Sequence, residues 1–137
     1  MFLLKGATEG RTVMTEERAN DLFQKWVRIL RLGDWDIRFH WRVHPAEMAE
    51  KDSAGCSSYN WVCKQAVIEI ADPAKYKMDM AGFEFDYEQI LVHELMHLKM
   101  SLVDDPDDRM IGAVVHQLVD DLAKSLVAAM RENAVSV

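Results

Sequence analysis

His93-Glu94-Leu95-Met96-His97 sets two imidazoles four residues apart, with a carboxylate directly after the first. On a helix, side chains at that spacing lie one above the other on a single face, so both rings can reach one metal ion. Glu94, one position on, projects beside that ion without binding it. A carboxylate so placed can take a proton from a water that the metal has made acidic. The HExxH pattern therefore names a chemistry, hydrolysis by an activated water with Glu94 as general base. Its bland alternative is a pair of packed core histidines, and the elements around the motif decide between the two.

From Tyr87 to Val103 the chain has no Gly or Pro and is rich in helix formers. At about 100° per residue, Leu91, Leu95, Leu98 and Leu102 form one seam, and Ile90, His93, His97 and Met100 fall nearly opposite. Val92, Met96 and Val103 take a flank. A helix this apolar all round is expected to be buried, with its histidines enclosed. Buried imidazoles need partners, which favours a metal. Asp86 with Gln89 three residues on reads as a capping box that starts the helix. The acidic turn Asp104-Asp105-Pro106-Asp107-Asp108 ends it. That turn lacks the glycine and closing Glu of an EF-hand loop, so it reads as acidic charge before the next helix.

The next helix is expected from about Arg109 to Arg131, with Ile111, Val115, Leu118, Val119, Leu122 and Leu126 as its core seam. His116 lies 19 positions after His97, far enough for the chain to turn back alongside the central helix. It sits at the edge of the seam, with Asp120 one turn later on the same face. His116 can supply a third nitrogen, with Asp120 accepting its free N–H. The alternative leaves Asp120 as the third ligand and His116 as its neighbour. Three protein ligands leave a fourth tetrahedral position open, the mark of a catalytic zinc (Zn2+) site rather than a structural one.

The rest of the chain must supply a frame. Residues 1–14 show no periodicity and read as a flexible lead-in, with Met14 a conceivable natural start. Residues 15–137 suit a single domain. Thr15 reads as the N-cap of a first helix running to about Leu32, ended by Gly33. Asp36 to His44 alternates, with Ile37, Phe39, Trp41 and Val43 on one face and Arg38, His40, Arg42 and His44 on the other. Ser53–Trp61 and Val62–Ala71 read as two further strands around a turn near Tyr59-Asn60. Ala66-Val67-Ile68-Glu69-Ile70 is the most strand-like run. Cys56 and Cys63 are too few and too far apart for a zinc clip; they read as small hydrophobes facing each other across the hairpin. Ala74 to Phe85, with Tyr76, Met78, Met80 and Phe83, has no clear period and is expected to cover the core. The expected fold is α+β: an N-terminal helix, a small three-stranded mostly antiparallel sheet, a central HExxH helix and a C-terminal ligand-bearing helix.

Composition narrows the partners. Among 137 residues half are hydrophobic, net charge is −7 and the isoelectric point is near 5.1, with no basic run. That argues against broad electrostatic binding to nucleic acid or to an anionic membrane. The opening Met1-Phe2-Leu3-Leu4 is too short for a signal peptide, and no stretch approaches a membrane span, so the expected location is cytoplasmic.

HELMH on a central helix, after a three-strand segment and before a ligand-bearing helix, resembles a minimal zincin. More narrowly it resembles the small SprT-like metallopeptidases and their phage-encoded relatives. The likeness extends to Asp34-Trp35-Asp36-Ile37 ahead of the sheet and to His116-Gln117-Leu118-Val119-Asp120-Asp121-Leu122-Ala123 on the final helix, and spans Thr15 to Met130. It implies a zincin-like fold, a zinc ion, and a polypeptide substrate laid along an exposed sheet edge, for which Ser53–Trp61 is the candidate. Such relatives often place Glu where this chain has His116. They also commonly carry a cysteine-based zinc module that this sequence lacks, so DNA-linked proteolysis is not carried over. Candidate oxyanion donors are His44, Tyr59 and Tyr76. Two other functions fit the same residues: a catalytically silent metal-binding or interaction module of zincin fold, and a zinc hydrolase of a non-peptide amide.

Overall fold

A computed structural model of the chain describes residues 14–76 and 84–136. Residues 1–13 of the lead-in expected over residues 1–14, and Met78, Met80 and Phe83, lie outside the described residues. Met14 is not loose but packs against the core.

Helix α1 spans Glu16–Ile29 and starts where Thr15 accepts the Arg18 N–H on its side chain, 3.2 Å away. Ala19, Phe23 and Trp26 are buried on its inner face. The helix stops earlier than Gly33. Arg31 takes a left-handed conformation (φ 56°), the Leu32 N–H reaches back to the Val27 carbonyl at 2.8 Å, and the Arg31 N–H to that of Arg28 at 3.2 Å. These two bonds make a Schellman cap. Leu32 is 1% exposed, so its burial sets the stopping point and Arg31 bears the strain.

Strand β1 (Asp36–Val43) alternates between exposed and half-buried side chains as its sequence implies. A short 3-10 turn at Pro45–Glu47 follows, then β2 (Gly55–Asn60) and β3 (Gln65–Ala71). The turn between them is not at Tyr59-Asn60: Asn60 still pairs with Gln65. Its side chain accepts the N–H groups of Val62 and Cys63, opening a four-residue loop that closes on Lys64 at φ 51°. Cys56 is buried opposite Glu69 and Cys63 is exposed in that loop, so the two thiols do not face each other.

The sheet order is β1-β3-β2, with β3 antiparallel to β2 and parallel to β1. The expectation of a mostly antiparallel sheet is therefore corrected: the sheet is mixed. The strand with the continuous apolar run takes the centre, where Ile68 and Ile70 are fully buried, and the alternating strand β1 lies beside it. Three helices and this sheet make an α+β arrangement among the described residues.

Helix α2 (Tyr87–Lys99) lies against β2 and β3, with α1 beside it and α3 (Arg109–Ser136) along it. Asp86 caps α2 by accepting the Gln89 N–H at 3.1 Å. Arg131, near the far end of α3, forks onto both Asp86 oxygens at 2.8 Å and also reaches Glu88. Glu88 in turn accepts the Trp26 indole N–H at 2.7 Å, and the Tyr87 hydroxyl donates to the Trp41 carbonyl. The start of the motif helix is thus held by α1, β1 and α3 together. Its end comes before Leu102, because Ser101 returns both its N–H and its hydroxyl to the Leu98 carbonyl. Leu102 and Val103 are 77% and 59% exposed and belong to no seam.

The seam of α3 also differs from its expected course. Val115, Val119, Ala123 and Val127 are buried, while Ile111, Leu118 and Leu122 are 38–44% exposed. The helix packs chiefly on α2 alone, so a narrow row spaced by four suffices, with small side chains that allow a close approach. No helix among the described residues is long and apolar enough to cross a membrane.

Candidate metal centre

His93 and His97 project from one face of α2, with ring centroids 5.1 Å apart. His116 reaches across from α3, 5.2 Å from the His93 ring and 5.7 Å from the His97 ring. One nitrogen from each lies within 4.8 Å of the other two, a group able to hold a metal ion. Nitrogens bound at ~2.0–2.1 Å around a tetrahedral ion are separated by roughly 3.4 Å, so small ring rotations bring the three into range. The histidines are less enclosed than their sequence suggests. His93 and His97 are half-buried, and His116 is exposed at the mouth.

Burial, and then the neighbouring imidazole of His116, hold the His93 pKa below the ordinary value. Burial and the other two histidines push His97 down to about 4. Both rings are therefore neutral near pH 7, the form that binds a metal through its lone pair.

Asp120 is not within the nitrogen cluster. Its Oδ1 lies 3.4 Å from His93 Nδ1, across the helix interface, and Lys124 holds Oδ2 at 2.7 Å. The carboxylate thus addresses His93 rather than His116 on its own helix.

Glu94 is 7% exposed, and burial raises its pKa to about 7; Glu50 adds to the rise and a hydrogen bond with the Ser57 side chain opposes it. A buried carboxyl that ionises near neutrality is matched to proton transfer at that pH. Its position depends on Gly55. A Cβ on that residue would lie 2.7 Å from Ile90 Cγ2 and 3.0 Å from Glu94 Oε2, so only glycine lets the β2 backbone come this close to α2.

Histidines, Glu94 and Asp120 line a cleft of about 560 Å³ whose other wall is β2, through Gly55, Ser57 and Tyr59, with Glu50 nearby. Within Ser53–Trp61, the candidate edge, β2 has β3 as its one strand neighbour among the described residues and lies beside the motif helix. Tyr59 is the one of the three candidate donors that lines the cleft; burial and the nearby Asp104 carboxylate raise the pKa of its hydroxyl. His44 instead accepts the Ala46 N–H and caps the 3-10 turn. Tyr76 packs edge-on against Phe85 at 5.6 Å. His40 sits exposed on β1 opposite Glu69.

Gly55, Ser57 and Glu50 escape a reading of sequence motifs. The available signal is the spacing of two from Gly55 to Tyr59, which puts all three strand residues on the face that meets α2. Comparison with protein-family models, with curated proteins and with solved structures returns no match.

Proposed function

We propose that this chain is a zinc-dependent peptidase of minimal zincin type, similar in its motif helix to SprT-like metallopeptidases. The observation that carries the reading is the meeting of His93, His97 and His116 beside a buried Glu94 in an open cleft. A packed pair of core histidines needs neither a third imidazole from another helix nor a buried carboxylate directed into the same cleft. Bound zinc supplies Lewis acidity, which acidifies a water and polarises the scissile carbonyl. Glu94 accepts the proton of the attacking water and delivers it to the departing amine nitrogen. Three imidazole ligands, His93, His97 and His116, would leave positive charge on the ion, since they bring none of the negative charge that a carboxylate ligand would. An extended polypeptide fits along the β2 edge, where its backbone can pair with the strand.

Elemental analysis of chelator-stripped, zinc-reconstituted protein, with cleavage of a mixed peptide library, tests the reading. One zinc per chain and cleavage are expected. Glu94→Gln should keep the zinc and lose cleavage, and His97→Ala should lose both. A wild-type chain that takes up no metal would end the proposal. Zinc uptake with no cleavage would leave a binding module or a hydrolase of other amides.

A further inference from the structure

His116, Asp120 and Lys124 form a column on α3, each one turn after the last, on the side that faces the motif helix. The first contributes to the nitrogen cluster, but the other two do something different. Asp120 Oδ1 meets His93 at Nδ1, 3.4 Å away, and Lys124 Nζ grips Asp120 Oδ2 at 2.7 Å. The two contacts use different oxygens, so the lysine braces the carboxylate without competing for the imidazole. Lys124 is mainly exposed, whereas the His93 side chain is only 17% exposed, so the chain of contacts runs from the surface inward to one ring.

We infer that Asp120 is a positioning residue for His93, holding its proton on Nδ1 so that Nε2 presents a lone pair to the metal, with Lys124 fixing the carboxylate. An imidazole has two nitrogens and one proton when neutral, and an acceptor at one nitrogen decides which of them is left to bind. Without the carboxylate, His93 samples both tautomers and a rotated ring, and only part of that population can bind. His97 and His116 have no carboxylate within ion-pairing distance among the described residues, so the device serves one ligand. The inference rests on the metal-site reading but not on peptidase activity.

Two measurements test it. In metal-free protein, ring 15N shifts should report His93 as the Nδ1–H tautomer, and Asp120→Ala should move it toward the Nε2–H form that a free histidine favours in water. Zinc affinity, by chelator competition, should fall 10- to 100-fold in Asp120→Ala and less in Lys124→Met, while the urea midpoint of the metal-free protein stays near wild type. An unchanged tautomer, or unchanged affinity, overturns the inference. So does loss of binding as complete as in His116→Ala, which would make Asp120 a ligand. A wild-type chain that shows the Nδ1–H tautomer yet binds no zinc would refute the metal site itself.

Discussion

Gly55→Ala isolates the contact on which the placement of Glu94 depends. The added methyl would sit 2.7 Å from Ile90 Cγ2 and 3.0 Å from Glu94 Cγ, against an optimum of ~3.5–4.0 Å for carbon pairs. Ile90 cannot easily yield, because Cγ2 branches directly from Cβ and isoleucine in a helix has one strongly preferred χ1. The strand or the helix must shift instead, at a cost of about 1–3 kcal/mol, the usual range for overpacking. Urea denaturation of chelator-treated protein reads that cost directly. Ile90→Ala removes the obstructing methyl, so the double variant should recover about 1 kcal/mol or more relative to the sum of the single changes. His93, His97 and His116 are not among the close contacts, so under the proposed function Gly55→Ala should still take up zinc. If Glu94 is the base of the proposed peptidase, hydrolysis should fall about 10-fold or more, because a base displaced by a fraction of an ångström loses alignment with its water. Wild-type stability in Gly55→Ala, or a penalty that Ile90→Ala leaves untouched, would refute the reasoning.

Glu94→Gln should stabilise metal-free protein in a pH-dependent way. A buried carboxyl raised from 4.5 to about 7 favours folding below pH 4.5, and that contribution is lost as pH rises through 7. The amide has no proton to lose, so the variant should exceed wild type by about 3 kcal/mol at pH 8 and match it near pH 4.5; an equal margin at both pH values in urea denaturation would exclude burial of the charge as the cause. Arg31→Gly should raise stability by about 0.5–1 kcal/mol, since Arg31 holds a left-handed conformation, whereas Gly33→Ala should be tolerated because nothing lies within 4 Å of its missing Cβ. Thermal melts of the two variants check this. Arg131→Met should cost up to about 1 kcal/mol, a figure kept small by its half-exposed side chain. Asp86 is partly buried, yet Arg131 and the Gln89 N–H hold its carboxyl below the ordinary value. The Arg131 contribution is therefore present near neutrality and lost as pH falls through that lowered pKa, which a series of melts between pH 7 and pH 3 would show.

Local periodicity made much of the frame legible. The α2 start at Asp86, the alternation of β1, and the placing of His93 and His97 on one helical face all follow from side-chain spacing within a single element. What spacing cannot state is which element lies across the gap. A helical wheel puts His116 and Asp120 on the same side of α3, but the carboxylate meets His93 on α2, because packing Val115, Val119, Ala123 and Val127 against that helix sets the offset between the two columns. The same limit explains the sheet. The apolar run of β3 was visible, but its central position beside β1 depends on pairing between residues nearly 30 apart in sequence.

Sequence alone also treats glycine in a strand as a weak point. At Gly55 the missing side chain is what admits Glu94, so the weakness of the strand and the burial of that carboxyl have one cause. Burial raises the Glu94 pKa, and Ser57, two residues along the same strand face, offsets part of that rise by hydrogen bonding. Edge position matters for the same residues. Because β3 takes the centre, β2 pairs on one side only among the described residues, and its Gly55, Ser57 and Tyr59 line the cleft. An internal β2 would have spent both rows of backbone groups within the sheet, whereas the proposed function needs one row free for a polypeptide backbone. The mixed sheet order, which departs from the antiparallel expectation, is thus the feature that puts an edge strand of the described sheet next to Glu94.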